Sequence, residues 1–216
     1  MKNKEYILFD LDGTLTDSAP GITNCVKYSL EKMGKEIPSF NILKKFIGPP
    51  LVDSFMEYIG MSREEALMAV ENYRERYRDI GIFENDVYEG VEDLLGTLKS
   101  KGKTIILATC KPKVFADRIL KHFGLLKYFD FTVGAYLDGR LGYKEEVIEE
   151  IIKIGKIKDK SKMVMIGDRH HDIEGAKAHG IHSIGVSYGF AEDGELQKAG
   201  ADFIVNSTYE ILNILI

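Results

Sequence analysis

An apolar run that stops on two carboxylates constrains this chain more than any other feature. Tyr6-Ile7-Leu8-Phe9 leads straight into Asp10-Leu11-Asp12-Gly13-Thr14-Leu15-Thr16-Asp17-Ser18. The run is short and rich in β-formers, so it reads as a buried strand that Gly13 brings to an end. In a parallel sheet, ligands gather beyond the carboxyl ends of the strands, which puts Asp10 and Asp12 where chemistry takes place. Two negative charges at such a place are costly without a positive partner, and a divalent cation is the natural one. A carboxylate that merely caps a helix does not account for both acids, Gly13, Thr14 and Asp17 together.

Size and charge narrow the remaining classes. A chain of 216 residues, 44% hydrophobic and 29% charged, has the make-up of a soluble globular protein with room for one large domain or a core plus an insertion. A net charge of −5 argues against a nucleic-acid polymer or a membrane surface as partner. The apolar runs are too short to span a bilayer. Met1-Lys2-Asn3-Lys4-Glu5 precedes only four apolar residues, so no secretory signal is expected. Cys25 and Cys110 suggest no disulfide framework. The expected location is the cytoplasm.

Beyond residue 85 the chain alternates short apolar runs with amphipathic stretches. Lys103–Ala108, Phe129–Val133, Met163–Gly167, His182–Val186 and Asp202–Val205 read as strands. Val91, Leu94, Leu95 and Leu98 recur at helical spacing. So do Phe115, Ile119, Leu120 and Phe123, between Pro112 and Gly124, and Val147, Ile148, Ile151 and Ile152. Alternation of this kind implies βαβ units and a mostly parallel sheet covered on both faces. Residues 17–84 break the rhythm. Ile22, Val26, Leu30 and Met33 mark one helix and Ala66, Val70, Tyr73, Tyr77 and Ile80 another, with Gly48-Pro49-Pro50 as a turn between them. An all-helical insertion that leaves the sheet just after Asp12 is placed to act as a lid.

Four places at strand ends or helix starts then fall into one set. They are Asp10 with Asp12; Thr109-Cys110-Lys111; Lys144, which opens a helix after Gly142-Tyr143; and Gly167-Asp168-Arg169-His170-His171-Asp172. A hydroxyl, a lysine, a metal-binding carboxylate and a helix N-terminus are the parts that phosphoryl transfer requires, because that reaction asks mainly for positioning and charge neutralisation. Taken singly, Thr109 and Lys144 carry little weight. Their order along the chain carries the signal.

Asp10-Leu11-Asp12-Gly13-Thr14-Leu15 resembles the first motif of the haloacid dehalogenase superfamily, in its phosphatase branch, and the other three places resemble the remaining motifs. The resemblance spans essentially the whole chain. It implies an α/β fold: a Rossmann-like parallel-sheet core from residues 1–16 and 85–216, with a helical cap of the C1 type over 17–84. It also supports a set of roles. Asp10 is the expected nucleophile, forming an aspartyl-phosphate, and Asp12 the acid and base for leaving group and water. Thr109, Cys110 and Gly13 are expected to hold the phosphate through hydroxyl or amides, with help from Lys111. Lys144 offsets charge beside Asp10. Mg²⁺ is the expected cofactor, held by Asp10, the main-chain carbonyl of Asp12 and Asp168, with Asp172 in support; oxygen ligands favour it over softer metals.

Gly48-Pro49-Pro50-Leu51, Tyr88-Glu89-Gly90-Val91 and Leu137-Asp138-Gly139-Arg140 are similar to segments of the phosphoglycolate phosphatase-like group, which includes 5′-nucleotidases. The expected activity is therefore hydrolysis of a small phosphomonoester, phosphoglycolate-like or a nucleoside monophosphate, by a monomer or weak homodimer. A phosphosugar mutase of the β-phosphoglucomutase type shares the same core parts. A receiver-like signalling module is disfavoured: its phosphorylated Asp ends the third strand, and it has no helical insertion. Cys110 stands where relatives carry Ser or Asn. Beside Lys111 a thiol depressed in pKa and oxidisable is one reading of it; a small inert side chain is the more common case. Zinc binding by His170, His171, His179 and His182 is the weaker reading of that cluster, His170 and His171 being expected in a loop.

Overall fold

The strand Tyr6–Phe9 (β1) lies at the centre of a six-stranded sheet, in a computed structural model that describes all 216 residues. Its neighbours follow from the apolar runs: β4 (Thr104–Pro112), β5 (Phe131–Ala135), β6 (Met163–Gly167), β7 (His182–Val186) and β8 (Phe203–Val205). The order is β5-β4-β1-β6-β7-β8, and every pairing is parallel. Growth runs one way from β1 through β4 and the other way through β6, so the crevice that such a reversal opens lies at the carboxyl end of β1. Phe9 sits opposite Leu107 on one side and Ile166 on the other, which brings the next residues of all three strands to one level.

The pleat explains why β1 is apolar throughout. Leu8 joins Ile106, Met163 and Met165 in a core that also takes Val147, Ile148 and Ile151 of α7 (Lys144–Ile154) and Ala176 of α8 (His170–Ala178). Alternation turns Ile7 and Phe9 to the opposite face, and all three residues are fully buried. Burial of each such side chain contributes about 1.5–3 kcal/mol. The remaining helices of this unit are α5 (Val91–Ser100), α6 (Lys113–His122), α9 (Glu195–Ala199) and α10 (Thr208–Leu215).

The chain divides into two compact units, Met1–Thr16 with Val87–Ile216, and Asp17–Asp86. Its two crossings, β2 (Thr16–Asp17) and β3 (Asp86–Val87), pair as a small ribbon. The second unit is helical: α1 (Ala19–Lys32), α2 (Phe40–Lys44), α3 (Leu51–Ile59) and α4 (Arg63–Tyr77). A reciprocal cap starts α4. Glu65 N–H donates to Ser62 Oγ, and Ser62 N–H donates to Glu65 Oε2, satisfying two amides that a helix start leaves open. Ala66 and Ala69 keep that helix slim where it meets α1, and Ser29 Oγ donates to the Ala69 carbonyl at 2.7 Å. Ile80 departs from the helical reading: it lies beyond the end of α4, 55% exposed, before a 3₁₀ turn at Gly81–Phe83. Helices α2 and α3 are absent from the sequence reading; Phe55 of α3 meets Phe46, which lies just past α2, edge-on with ring centroids 5.0 Å apart. No helix of the chain is long and apolar enough to cross a membrane.

Candidate active site

Directly after β1 the chain curls tightly. Leu15 and Thr16 N–H both donate to the Leu11 carbonyl, and Gly13 N–H donates to that of Thr16. Leu11 and Leu15 fill the core beneath, leaving Asp10, Asp12 and Gly13 along the sheet's carboxyl edge. Gly13 has φ +81°, and a Cβ there would lie 2.1 Å from Asp168 Oδ2. Only glycine permits both that backbone and that approach.

Each acid of the first motif has its own ammonium. Lys144 Nζ reaches Asp10 Oδ1 at 2.9 Å, Asp172 Oδ1 at 2.7 Å and the Ala108 carbonyl at 2.7 Å, which uses all three of its protons. Lys111 Nζ meets both oxygens of Asp12, at 2.9 and 2.7 Å. Asp168 has no lysine. Its Oδ2 accepts from Phe190 N–H at 2.7 Å, and Thr14 Oγ1 lies 3.5 Å from its Oδ1. Asp172 Oδ2 accepts from Arg169 N–H.

Electrostatics follow from this layout. Asp10, Asp12, Asp168 and Asp172 are all buried, and two ammonium groups face them, so two negative charges stay unmatched. Burial raises the Asp10 carboxyl to about 6 against the pull of Lys144. Asp168, with burial and two neighbouring carboxylates acting in the same sense, is pushed well above the usual carboxylate range. Burial works against the charge on Lys144, but Asp10 and Asp172 outweigh it and hold its pKa above the ordinary lysine value. Oxygen atoms of Asp10, Asp168 and Asp172 come within 4.8 Å of one another. An all-oxygen set short of two positive charges fits a hard dication. The carboxylates that converge are these three, whereas that of Asp12 is turned to Lys111.

One sequence expectation is corrected here and one open reading is closed. Thr109, Cys110 and Lys111 do not follow β4 but lie within it, where pairing with β5 shifts register between Thr109 and Pro112; a bulge can re-aim side chains beside a site. Thr109 is buried, and its Oγ1 accepts from Lys111 N–H at 3.2 Å. The Cys110 thiol is not depressed: burial pushes it up to about 12 despite the attraction of Lys144. It is therefore a small neutral side chain at physiological pH. Cys110→Ser is expected to lower kcat/KM on p-nitrophenyl phosphate by no more than about threefold. Inactivation would give the sulfur a direct role.

His170 and His171 begin α8 instead of lying in a loop. His170 Nδ1 and N–H both meet Glu195 Oε1 at 2.8 Å, as does Arg169 Nε. Burial lowers His171 to about 4, leaving it neutral. Ligand-capable atoms of His170, His171 and Glu174 also lie within 4.8 Å of one another, with His170 already engaged by Glu195. Sequence reasoning passed over Tyr188-Gly189-Phe190. This loop follows β7 at the same sheet edge: Phe190 holds Asp168, and Tyr188 OH donates to the Thr14 carbonyl at 3.0 Å. A glycine beside aromatics just past a strand end was the available signal.

Known proteins resemble this chain in sequence and fold. The haloacid dehalogenase-like hydrolase model matches residues 7–186. A crystal structure of a predicted phosphatase from Clostridium acetobutylicum superposes with a TM-score of 0.94 at 49% identity, over 98% of this chain and 97% of that one. A 5′-nucleotidase of Pseudomonas aeruginosa is 44% identical over 191 residues, 88% of this chain and 86% of that protein. A tyrosine-protein kinase of Mycobacterium tuberculosis, PtkA, is 33% identical over 95% of this chain and 70% of its own length. With a site of buried carboxylates at the switch point of a parallel sheet, and a family match over most of its length, the chain belongs to the haloacid dehalogenase-like hydrolases and is a phosphatase of that family.

Proposed function

We propose that this protein hydrolyses a small phosphomonoester, phosphoglycolate-like or a nucleoside monophosphate, with Mg²⁺ and through a phosphoryl group carried on Asp10. The observation that carries the reading is the Asp10 carboxylate itself: buried at the end of β1, held by Lys144 and grouped with Asp168 and Asp172. Asp10 attacks phosphorus, and the ester oxygen leaves with a proton from Asp12. Asp12 then takes a proton from the water that releases phosphate. Thr109 Oγ1 and the amide of Cys110 hold phosphate oxygens, whereas the Gly13 amide, expected from the sequence to do the same, is already given to the Thr16 carbonyl at 2.8 Å; Lys144 neutralises charge between Asp10 and the phosphoryl group. Asp10, Asp168 and the main-chain carbonyl of Asp12 would hold the Mg²⁺, with Asp172 supporting; the ion supplies the missing positive charge for a phosphate dianion. Residues 17–84 form the cap that selects the substrate. The 5′-nucleotidase relative supports a nucleoside monophosphate as the first substrate to try, in a screen that includes phosphoglycolate, pyrophosphate and hexose phosphates. Conversion of a hexose phosphate to its isomer without phosphate release would instead identify a mutase, and phosphate moved from ATP to a tyrosine would identify a kinase.

Chelation tests the metal directly. EDTA is expected to stop phosphate release and added Mg²⁺ to restore it; activity that survives chelation would overturn the oxygen-ligated site. The pH dependence has a defined sign. Asp10 is raised from 3.8 to about 6, so in the metal-free protein its ionised form costs stability, and that cost grows as pH rises through this window. Mg²⁺ requires the ionised carboxylates. The rise in melting temperature on adding Mg²⁺ is therefore expected to be small at pH 5 and large at pH 8, as read by calorimetry.

A further inference from the structure

We propose that Lys111 is the positioning residue for Asp12, holding the proton carrier on the leaving-group oxygen, and is not primarily a binding charge for the phosphate. The proposal rests on Asp12 being the proton carrier of the reaction set out above. Lys111 Nζ grips both oxygens of Asp12, at 2.9 and 2.7 Å. The two side chains are only 6% and 9% exposed, so water and salt screen this pair little. The lysine's backbone is itself fixed from two sides. Its N–H is tied to Thr109 Oγ1, and its carbonyl lies against Gly134 of β5, where a Cβ would come within 2.7 Å. The register shift between Thr109 and Pro112 lies at this point, and a shift of this kind is how a strand redirects a side chain.

The charge balance of the first step gives the pair its use. The bond from Asp10 to phosphorus forms, the ester P–O bond breaks, and the Asp12 proton passes to the departing oxygen. The negative charge left on Asp12 then develops beside an ammonium already in contact with both its oxygens. Lys111 Nζ contacts both Asp12 oxygens in the structure, as it would once that proton has left and before Asp12 takes the next one from water. An ammonium spent on phosphate would help every ester equally. An ammonium spent on Asp12 helps most where the leaving oxygen most needs a proton.

Leaving-group dependence separates the two. The Mg²⁺-loaded enzyme, Lys111→Met and Lys111→Arg would be compared by kcat/KM on p-nitrophenyl, phenyl and ethyl phosphate. With Lys111→Met, a loss of about 100-fold on ethyl phosphate against less than about tenfold on p-nitrophenyl phosphate is expected, from the usual worth of proton transfer. Lys111→Arg, whose fork can also take both carboxylate oxygens, is expected to recover part of the ethyl phosphate activity. An equal loss on all three esters, or no loss, would overturn the proposal. Should Lys111→Met melt early, the arginine variant carries the same comparison, graded loss supporting it and ungraded loss overturning it. Failure of the underlying reading looks different: wild-type enzyme inert on all three esters, or Asp10→Asn as active as wild type.

Discussion

Asp10→Asn is expected to cut phosphate release by on the order of a thousandfold or more, the scale on which enzymes lose a nucleophile. The amide has the shape of the carboxylate but cannot form the phospho-enzyme. It also removes a charge whose burial is unfavourable, since Asp10 is raised to about 6. At pH 8 the metal-free variant should therefore melt no lower than wild type, while the stabilisation by Mg²⁺ largely disappears. Activity and stability move in opposite directions, which separates a lost chemical group from a damaged fold. Turnover of p-nitrophenyl phosphate at the wild-type rate would refute the nucleophile.

Lys144→Met is expected to have the largest effect on stability. The lysine is buried, with its side chain 4% exposed, and it bridges Asp10 and Asp172. Removing one partner of a buried ion pair costs about 3–5 kcal/mol, because an uncompensated charge stays behind. In a chain of this size that corresponds to a fall in melting temperature of roughly 10 °C. Loss of a charge beside the phosphoryl group should also lower kcat by about 100-fold or more. Mg²⁺ is expected to return part of the stability but not the rate, as a cation can offset the carboxylates without replacing the lysine's contact to the Ala108 carbonyl. A variant that melts as wild type would mean that the carboxylates find another partner.

Much of the core was legible because its strands are short apolar runs between polar helices. Tyr6–Phe9, Met163–Gly167 and His182–Val186 have the limits their residues suggest. Thr-Cys-Lys-Pro looks like a loop and so ends the apolar run of β4 at Ala108, yet the strand continues to Pro112 by shifting register. For α3, nine residues after a proline pair give too few turns for periodicity to speak. Lys144 in isolation reads as one more solvated lysine; only the sheet, which brings β1, β4 and β6 to one level, shows that it is enclosed. The place of Lys144 beside Asp10, and of Asp172 in support, comes with the family resemblance. The grip of Lys111 on Asp12 and the loop Tyr188–Phe190 depend on approach between distant segments, which local pattern does not encode.

The central position of β1 has a consequence for how this chain comes to exist. Phe9 needs Leu107 on one side and Ile166 on the other, so β1, translated ahead of the other five strands of the sheet, gains its second neighbour only once β6 has been made. Until then an apolar run with open edges stays available to wrong partners. The stretch Asp17–Asp86 is contiguous and can gather itself during that wait. Once gathered, it shortens the effective loop that β1 must close to reach β4, lowering the entropic barrier to the first correct pairing.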